Sequence, residues 1–254
     1  MQINNNLQDK HILIVGASQG IGAETAKECA RRGASLSLAA RSEKVLEIAD
    51  QLVQAERHGG YCFDVADIEQ IDQFVGEVVK KKGRPLDGMV YCVGPQCVRP
   101  LRMLDPEVVK KTMTIGFGAY IEMVRAAVKK GNYNQPMSIV SVSSIVSQAG
   151  SPGKTVYGAM KAAMDAAVRS LAVELAPKGI RLNTVRPGLV ATERLEKLQE
   201  LVGDAGQLKA IEARQYMGIS ETADMAKTIC FLLSEDAKAI TGTNMDVSGG
   251  FLTS

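Results

Sequence analysis

The chain has 254 residues, of which 46% are hydrophobic and 23% charged, and its formal net charge is +2 at pH 7. These values are typical of folded globular domains and exclude a disordered or collagen-like chain. The longest run of Lys and Arg, Lys80 to Lys82, has three residues, so the sequence lacks the basic footprint of a nucleic-acid-binding protein. We expect no nucleic-acid partner.

The five cysteines are scattered, and with only two histidines they form no spacing typical of a metal site. We interpret the thiols as buried structural residues and predict no metal. The polar segment Met1 to Lys10 lacks the apolar core of a signal peptide, and no stretch approaches the roughly 18 apolar residues of a membrane span. We therefore predict a cytoplasmic protein with no membrane partner.

Short apolar runs rich in β-branched residues alternate along the chain with longer segments of helical period. The predicted strands are 11–15, 35–40, 61–63, 88–93, 138–142, 181–185 and 244–247. The predicted helices are 20–32, 42–57, 68–82, 106–130, 156–176 and 221–233. This alternation predicts a single doubly wound (Rossmann) α/β domain over residues 1–254, with a seven-stranded parallel sheet flanked by helices. Because such sheets bind ligands at the carboxyl ends of their strands, we seek site residues just after each strand.

A glycine-rich loop follows the first predicted strand and opens the first helix. It reads Gly16-Ala17-Ser18-Gln19-Gly20-Ile21-Gly22. Glycines permit a tight turn and let backbone N–H groups at the helix N-terminus approach a pyrophosphate. In the order strand, loop and helix, the pattern favours a dinucleotide site. The alternative is a close-packed glycine turn without a ligand.

The Gly-x-x-x-Gly-x-Gly spacing and several later motifs resemble the short-chain dehydrogenase/reductase family, over essentially the whole chain. The later motifs are Asp64 after the third strand, Tyr157-Gly158-Ala159-Met160-Lys161, Arg186-Pro187-Gly188 with Thr192, Ile240-Thr241-Gly242, and Ser248-Gly249-Gly250. The resemblance implies an oxidoreductase that transfers hydride between a nicotinamide cofactor and a small carbonyl or alcohol substrate. It implies cofactor contacts at Gly16, Ser18, Gln19, Gly20, Ile21, Gly22, Asp64, Val65, Gly94, Tyr157, Lys161, Pro187, Gly188, Val190 and Thr192.

The end of the second strand bears on the choice between NADP(H) and NAD(H). An NAD enzyme of this type usually has an acid there that holds the ribose 2′-hydroxyl, whereas this chain has Ala40 followed by Arg41. A guanidinium is a planar, bidentate partner for a 2′-phosphate, and Ser18 and Ser42 could donate to the same group. The sequence favours NADP(H). The alternative is an ordinary exposed Arg41, because Gln19 stands where many NADP-dependent relatives carry a second basic residue.

Tyr157 and Lys161 are four residues apart and share one face of the predicted helix. By the resemblance, Tyr157 is the general acid/base, Ser144 hydrogen-bonds the substrate oxygen, and Lys161 binds the nicotinamide ribose. A phenol, with a pKa of about 10, is a poor base unless a nearby cation stabilises its phenolate, which gives the lysine a physical role. The alternative is a surface Tyr–Lys pair on an amphipathic helix.

Thr192 also has two interpretations. The resemblance places it against the nicotinamide carboxamide, but a threonine that caps the next helix would look the same in sequence.

The chain departs from the family pattern at two places. Relatives usually carry Asn-Asn-Ala-Gly after the fourth strand, where this chain has Tyr91-Cys92-Val93-Gly94, and the expected catalytic asparagine falls at Gly116. A glycine there could leave space for an extra water, or Thr112 or Thr114 could substitute. The departures motivate an alternative function, a non-catalytic NADP(H)-binding sensor or assembly subunit.

Substrate contacts are expected from the loop 95–105 and from the segment 193–217, which are rich in Leu and Met and suit a moderately apolar ligand. Arg99, Arg102 and Arg194 leave acidic or phosphorylated substrates open.

The helix 156–176 carries many alanines, which permit close helix approach. Relatives pair this helix across a two-fold axis, so we expect a homodimer or homotetramer. The alternative is that the alanines are buried within the monomer.

Overall fold

A computed structural model describes residues 6–95, 97–193, 195 and 205–253. One seven-stranded sheet runs through it in the order β3-β2-β1-β4-β5-β6-β7, with every pairing parallel. The strands are β1 His11–Val15, β2 Ser35–Ala40, β3 His58–Cys62, β4 Leu86–Tyr91, β5 Tyr133–Val142, β6 Ile180–Pro187 and β7 Asn244–Val247. The predicted doubly wound parallel sheet is confirmed.

The α-helices of the described residues lie between these strands, and all but α7 fall within one residue of a predicted helix. They are α1 Gly20–Arg31, α2 Lys44–Gln51, α3 Ile71–Lys82, α4 Pro106–Met113, α5 Ala119–Ala127, α6 Thr155–Leu175, α7 Ala205–Glu212 and α8 Thr222–Leu233. None of the helices in this part of the chain is both long enough and apolar enough to cross a membrane.

Two predicted helices have different bounds in the structure. The helix predicted over 42–57 ends at Gln51, because Leu52 is extended and Gln54 is left-handed, and a 3-10 turn follows at Ala55–Arg57. The helix predicted over 106–130 is divided by a π-helical segment, Thr114–Gly118, which separates α4 from α5.

The third strand begins three residues earlier than predicted. Gly59 and Gly60 pair with β2, although glycine is not typical of strands. The tertiary structure requires a small residue here, because a Cβ atom on Gly60 would lie 2.9 Å from the Cα of Leu46 in α2.

Helices cover both faces of the sheet. Side chains of α1, α2 and α8 pack on one face together with Ile12 and Ile14, and those of α3, α5 and α6 pack on the other together with Leu13 and Val15. Because successive side chains of a strand point to opposite faces, a central strand covered on both faces is mostly apolar on both, and a buried polar residue in it needs hydrogen-bond partners. All five residues of β1 are buried, which explains the continuous run that predicted this strand.

Candidate active site

A cleft of about 490 Å³ opens at the carboxyl ends of the strands, where the strand order reverses between β1 and β4. Its wall contains residues that follow each strand from β1 to β6. Every site residue predicted from the sequence lines this cleft except Ser42. The parallel sheet therefore brings together side chains that are as far apart in sequence as Gly16 and Thr192.

The glycine loop has a backbone conformation that requires its glycines. Gly16 and Gly20 have φ values of 91° and 54°, which favour glycine, and a Cβ atom on Gly22 would collide with the carbonyl oxygen of Gly16. No side chain of the described residues caps α1 at Gln19, and its first turn contains no acidic residue. The N–H groups at this helix end are thus available to an anion in the cleft.

Arg41 lies at the end of β2, with 84% of its side chain exposed. Its Nη1 is 3.9 Å from Oδ2 of Asp64, which follows β3. The hydroxyl of Ser42 instead accepts a hydrogen bond from the backbone N–H of Lys44 at the start of α2, outside the cleft lining.

The predicted catalytic residues Ser144, Tyr157 and Lys161 all line this cleft. Ser144 follows β5, and Tyr157 lies in the first turn of α6. The two segments approach closely because the residue after the tyrosine is Gly158, where a Cβ atom would lie 2.8 Å from the carbonyl oxygen of Val146. The small residue at position 158 thus helps to hold α6 against the loop that carries Ser144.

Lys161 is buried between α6 and the end of β5. Its Nζ donates a hydrogen bond to the carbonyl oxygen of Val142 at 2.6 Å and lies 5.9 Å from the centre of the Tyr157 ring. A Cβ atom on Gly94 would lie 2.9 Å from this Nζ, which explains the glycine after β4. The neighbouring Cys92 thiol is desolvated, which raises its pKa to about 12 although Lys161 acts in the opposite direction.

The cysteines only partly match the prediction of buried thiols. Cys29, Cys97 and Cys230 are buried, and Cys92 is half-buried. The prediction is wrong for Cys62, which is exposed because it ends the edge strand β3.

The space expected beside Gly116 is filled by a side chain. Gly116 is buried in the π-helical segment, and a Cβ atom on it would lie 2.5 Å from Sδ of Met160, which is fully buried. The hypothesis of room for an extra water is therefore wrong. Neither Thr112 nor Thr114 is part of the cleft lining.

Tyr91, at the first position of the altered Asn-Asn-Ala-Gly motif, stabilises the same π-helical segment. Its hydroxyl donates a hydrogen bond to the carbonyl oxygen of Ile115 at 3.1 Å, and its ring packs against Tyr120 with centroids 5.3 Å apart. Burial raises the pKa of Tyr91 well above its ordinary value. This tyrosine is therefore a neutral structural donor.

Both interpretations of Thr192 have support in the structure. Its Oγ1 accepts a hydrogen bond from the N–H of Leu195 at 3.3 Å, as a helix cap does, and its side chain also lines the cleft opposite Gly20.

Gln215, in the segment 193–217, does not line the cleft but supports it, a role that the sequence did not predict. It is buried, its Nε2 donates to the carbonyl oxygens of Leu189 and Gly218, and its Oε1 accepts from the N–H of Leu189. It fixes the loop after β6 that contains Gly188. Two charged residues of the cleft wall, Lys111 and Lys154, were not predicted, whereas Glu193 belongs to the segment 193–217 expected to contact substrate.

The segments expected to contact substrate flank the cleft. Leu101 and Met103 of the first segment are 78% and 57% exposed, and Tyr216 and Met217 of the second are 64% and 86% exposed. Residues 194 and 196–204 of the second segment, which include Arg194, lie outside the described residues.

Comparison with known proteins places this fold and site in a family. Residues 16–252 match the family described as enoyl-(acyl carrier protein) reductase. The 3-oxoacyl-[acyl-carrier-protein] reductase FabG of Haemophilus influenzae is 33% identical over 252 residues, covering 98% of this chain and all of that protein. An L-rhamnose 1-dehydrogenase (NAD(P)(+)) of Azotobacter vinelandii is 31% identical, with 96% and 97% of the two chains covered.

Solved structures of dehydrogenases and reductases have the same fold as this chain. A dehydrogenase/reductase from Sinorhizobium meliloti has a TM-score of 0.89 at 27% identity, with 98% of each chain covered. A short chain dehydrogenase from Burkholderia cenocepacia in complex with NADP has a TM-score of 0.86 at 26% identity, with 97% of this chain and 99% of that chain covered. The class defined by fold and cleft is that of the nucleotide-dependent oxidoreductases. Within it, the chain belongs to the short-chain dehydrogenase/reductase family, and the resemblance seen in its motifs is confirmed.

Proposed function

We propose that this protein is an NADP(H)-dependent oxidoreductase that reduces a carbonyl compound or oxidises the corresponding alcohol, with Ser144, Tyr157 and Lys161 as catalytic residues. The observation that carries the proposal is that all three residues line the same cleft as the glycine loop. The relatives are named as reductases and dehydrogenases, which favours an enzyme over a non-catalytic binding protein.

The residues of the cleft fit a dinucleotide. The uncapped N-terminus of α1 suits the pyrophosphate, and Asp64 and Val65 suit the adenine. Ser18 and Arg41 are available to a 2′-phosphate, while Gly94, Pro187, Gly188, Val190 and Thr192 line the part of the cleft suited to the nicotinamide end. Complexes of three solved relatives with NADP or NADPH support the choice of NADP(H).

The chain's own residues would control the proton and the substrate oxygen. Bound NADPH supplies a hydride to the carbonyl carbon. Tyr157 donates its hydroxyl proton to the oxygen as negative charge develops there, and Ser144 donates a hydrogen bond to the same oxygen. The ammonium of Lys161, 5.9 Å from the tyrosine ring centre, stabilises the phenolate that remains.

The test is oxidation of NADPH, followed by absorbance, with a panel of aldehydes, ketones and 3-oxoacyl thioesters. Tyr157→Phe should bind NADPH normally but turn over about 10²- to 10⁴-fold more slowly, because the proton donor is gone. Tyr133→Phe, which changes a tyrosine outside the cleft lining, is the matched control and should leave the rate unchanged. Turnover of Tyr157→Phe at the wild-type rate would overturn the catalytic assignment.

The assembly and location of the protein are part of the proposal. Residues 1–254 act as one domain and associate as a homodimer or homotetramer through α6, where Ala159, Ala166 and Val173 repeat every seven residues and are all exposed. The alternative, that these alanines are buried in the monomer, is wrong for Ala159 and Ala166. A monomer by light scattering would contradict the assembly.

The proposed location is the cytoplasm. Five free cysteines are consistent with its reducing environment.

A further inference from the structure

Lys154 lines the cleft together with Ser144 and Tyr157 but has no part in the mechanism above. It directly precedes α6 and stands three residues before Tyr157. One helical turn therefore separates it from the proposed proton donor. Lys154 thus lies beside the proposed catalytic tyrosine, whereas Arg41 and Asp64 belong to the part of the cleft assigned to the adenosine.

The backbone around Lys154 is held in place from both sides. Its carbonyl oxygen accepts a hydrogen bond from the N–H of Gly158 at 2.7 Å within α6. On its other side, the carbonyl oxygen of Gly153 accepts from the N–H of Arg99 at 2.7 Å. Arg99 belongs to the loop 95–105, from which substrate contacts are expected. Lys154 thus lies where the catalytic helix meets the substrate loop.

The ammonium of Lys154 has no carboxylate partner among the described residues. No ion pair joins it to another residue within 6–95, 97–193, 195 or 205–253. The side chain is half-buried, and desolvation lowers the pKa of its ammonium. Burial has removed part of the hydration of this ammonium. An anion that entered the cleft would therefore stabilise its charged form. The charged residues of the cleft lining are Arg41, Lys111, Lys154, Lys161, Asp64 and Glu193, so cations outnumber anions four to two.

From this placement we infer that the substrate is an oxo acid, or the corresponding hydroxy acid, and that Lys154 binds its carboxylate while Ser144 and Tyr157 hold the carbonyl oxygen. The inference rests on the function proposed above. A single ammonium is a compact point charge that matches one carboxylate. A phosphate dianion usually receives further donors, such as the guanidinium of an arginine. Because Lys154 and Tyr157 stand one helical turn apart, a substrate held by both suits a carboxylate within a few bonds of the carbonyl.

The test compares acids with neutral esters of the same carbon skeleton, acetoacetate with methyl acetoacetate and pyruvate with methyl pyruvate, in NADPH-dependent reduction. The wild type should prefer the acids. Lys154→Met should lower kcat/KM for the acids about 10- to 100-fold, mainly through KM, because a charge-assisted hydrogen bond is lost. It should change the esters little, and Lys154→Arg should keep most of the preference.

The control is Lys111→Met, which removes a cation from another wall of the cleft. An equal loss of kcat/KM for the acids in Lys111→Met and Lys154→Met would mean that the overall positive potential of the cleft selects the acid. That result would overturn the assignment to Lys154. Reduction of the esters that depends on Tyr157, with no preference for the acids, would overturn the inference and leave the proposed function intact.

Failure of every carbonyl would instead count against the proposed function. Binding of acetoacetate and methyl acetoacetate to the NADPH complex, followed by the nicotinamide fluorescence, decides the inference in that case. Tighter binding of the acid that is lost in Lys154→Met would support it, and equal binding of the two compounds would overturn it.

Discussion

Met160 occupies the volume in which a side chain at Gly116 would lie. A Cβ atom on Gly116 would be 2.5 Å from Sδ and 2.6 Å from Cγ of Met160, one residue before the proposed catalytic lysine. The glycine and the methionine are therefore complementary in volume, because Met160 in its present position leaves no room for a side chain at position 116. The space beside Gly116 is filled by packing and is not a cavity.

Gly116→Asn should accordingly destabilise the protein by about 1–3 kcal/mol through overpacking. The double variant Gly116→Asn/Met160→Ala should recover part of this loss, so that the two changes are not additive in the free energy of unfolding measured with urea. Met164→Ala, at another fully buried methionine of α6, is the matched partner and should combine additively with Gly116→Asn. If Gly116→Asn combined additively with both Met160→Ala and Met164→Ala in the free energy of unfolding, the complementarity of Gly116 and Met160 would be contradicted.

Arg41→Ala should raise KM for NADPH about tenfold or more and leave KM for NADH nearly unchanged, because only NADPH carries the 2′-phosphate that the guanidinium would bind. Initial rates with each cofactor measure the effect. Lys44→Ala removes another exposed cation just beyond the cleft and should alter neither KM. An equal effect of Arg41→Ala on both cofactors would refute the role of this residue in cofactor choice.

A buried ion pair joins the catalytic helix to the strand that leads to Gly188. Nε of Arg186 in β6 lies 2.8 Å from Oδ2 of Asp165 in α6, with side chains 6% and 5% exposed. Asp165→Ala would leave a buried guanidinium partly unpaired and should cost about 3–5 kcal/mol of unfolding free energy, measured by urea denaturation.

The partner of the same guanidinium on its other side provides the control. Asp246 pairs with Nη1 of Arg186 at 3.0 Å, but its side chain is 42% exposed. Asp246→Ala should therefore cost about 1 kcal/mol or less, because solvent replaces the lost charge. Equal costs for Asp165→Ala and Asp246→Ala would show that burial does not decide the strength of this network.

His11 should make the protein less stable in acid. Its ring is buried in β1, bonded to Ser37 and to the carbonyl oxygens of Arg84 and Pro85, and burial lowers its pKa from 6.5 to about 4. Between these two pH values the unfolded chain binds more protons than the folded one, so stability falls as the pH falls. The loss from this residue should approach about 3 kcal/mol by about pH 4.

Urea denaturation across this pH range checks the effect. His11→Gln should reduce the loss of stability between about pH 7 and about pH 4, because it removes the buried titrating group. His58→Gln is the matched control, since His58 is only half-buried and should contribute less. An unchanged pH dependence in His11→Gln would refute this source of acid sensitivity.

The fold could be read largely from local patterns. A strand that is covered on both faces, such as β1, has a continuous run of apolar residues, here Ile12 to Val15, and the glycine loop must follow it for a helix end to reach a pyrophosphate. The position of Tyr157 relative to Lys161 also follows from helical spacing alone. The strand containing Gly59 and Gly60 was predicted too short because its pairing with β2, and not its residue type, defines it.

The sequence by itself therefore determined the parallel α/β fold, the glycine loop and the family motifs, because each depends on residue type and spacing within one segment. Only the tertiary structure decided that Met160 fills the space beside Gly116, that Gln215 holds the loop at Leu189, and that Lys154 enters the cleft. These relationships join segments that are distant in the chain, and they depend on which side chains the packed sheet and helices bring into contact.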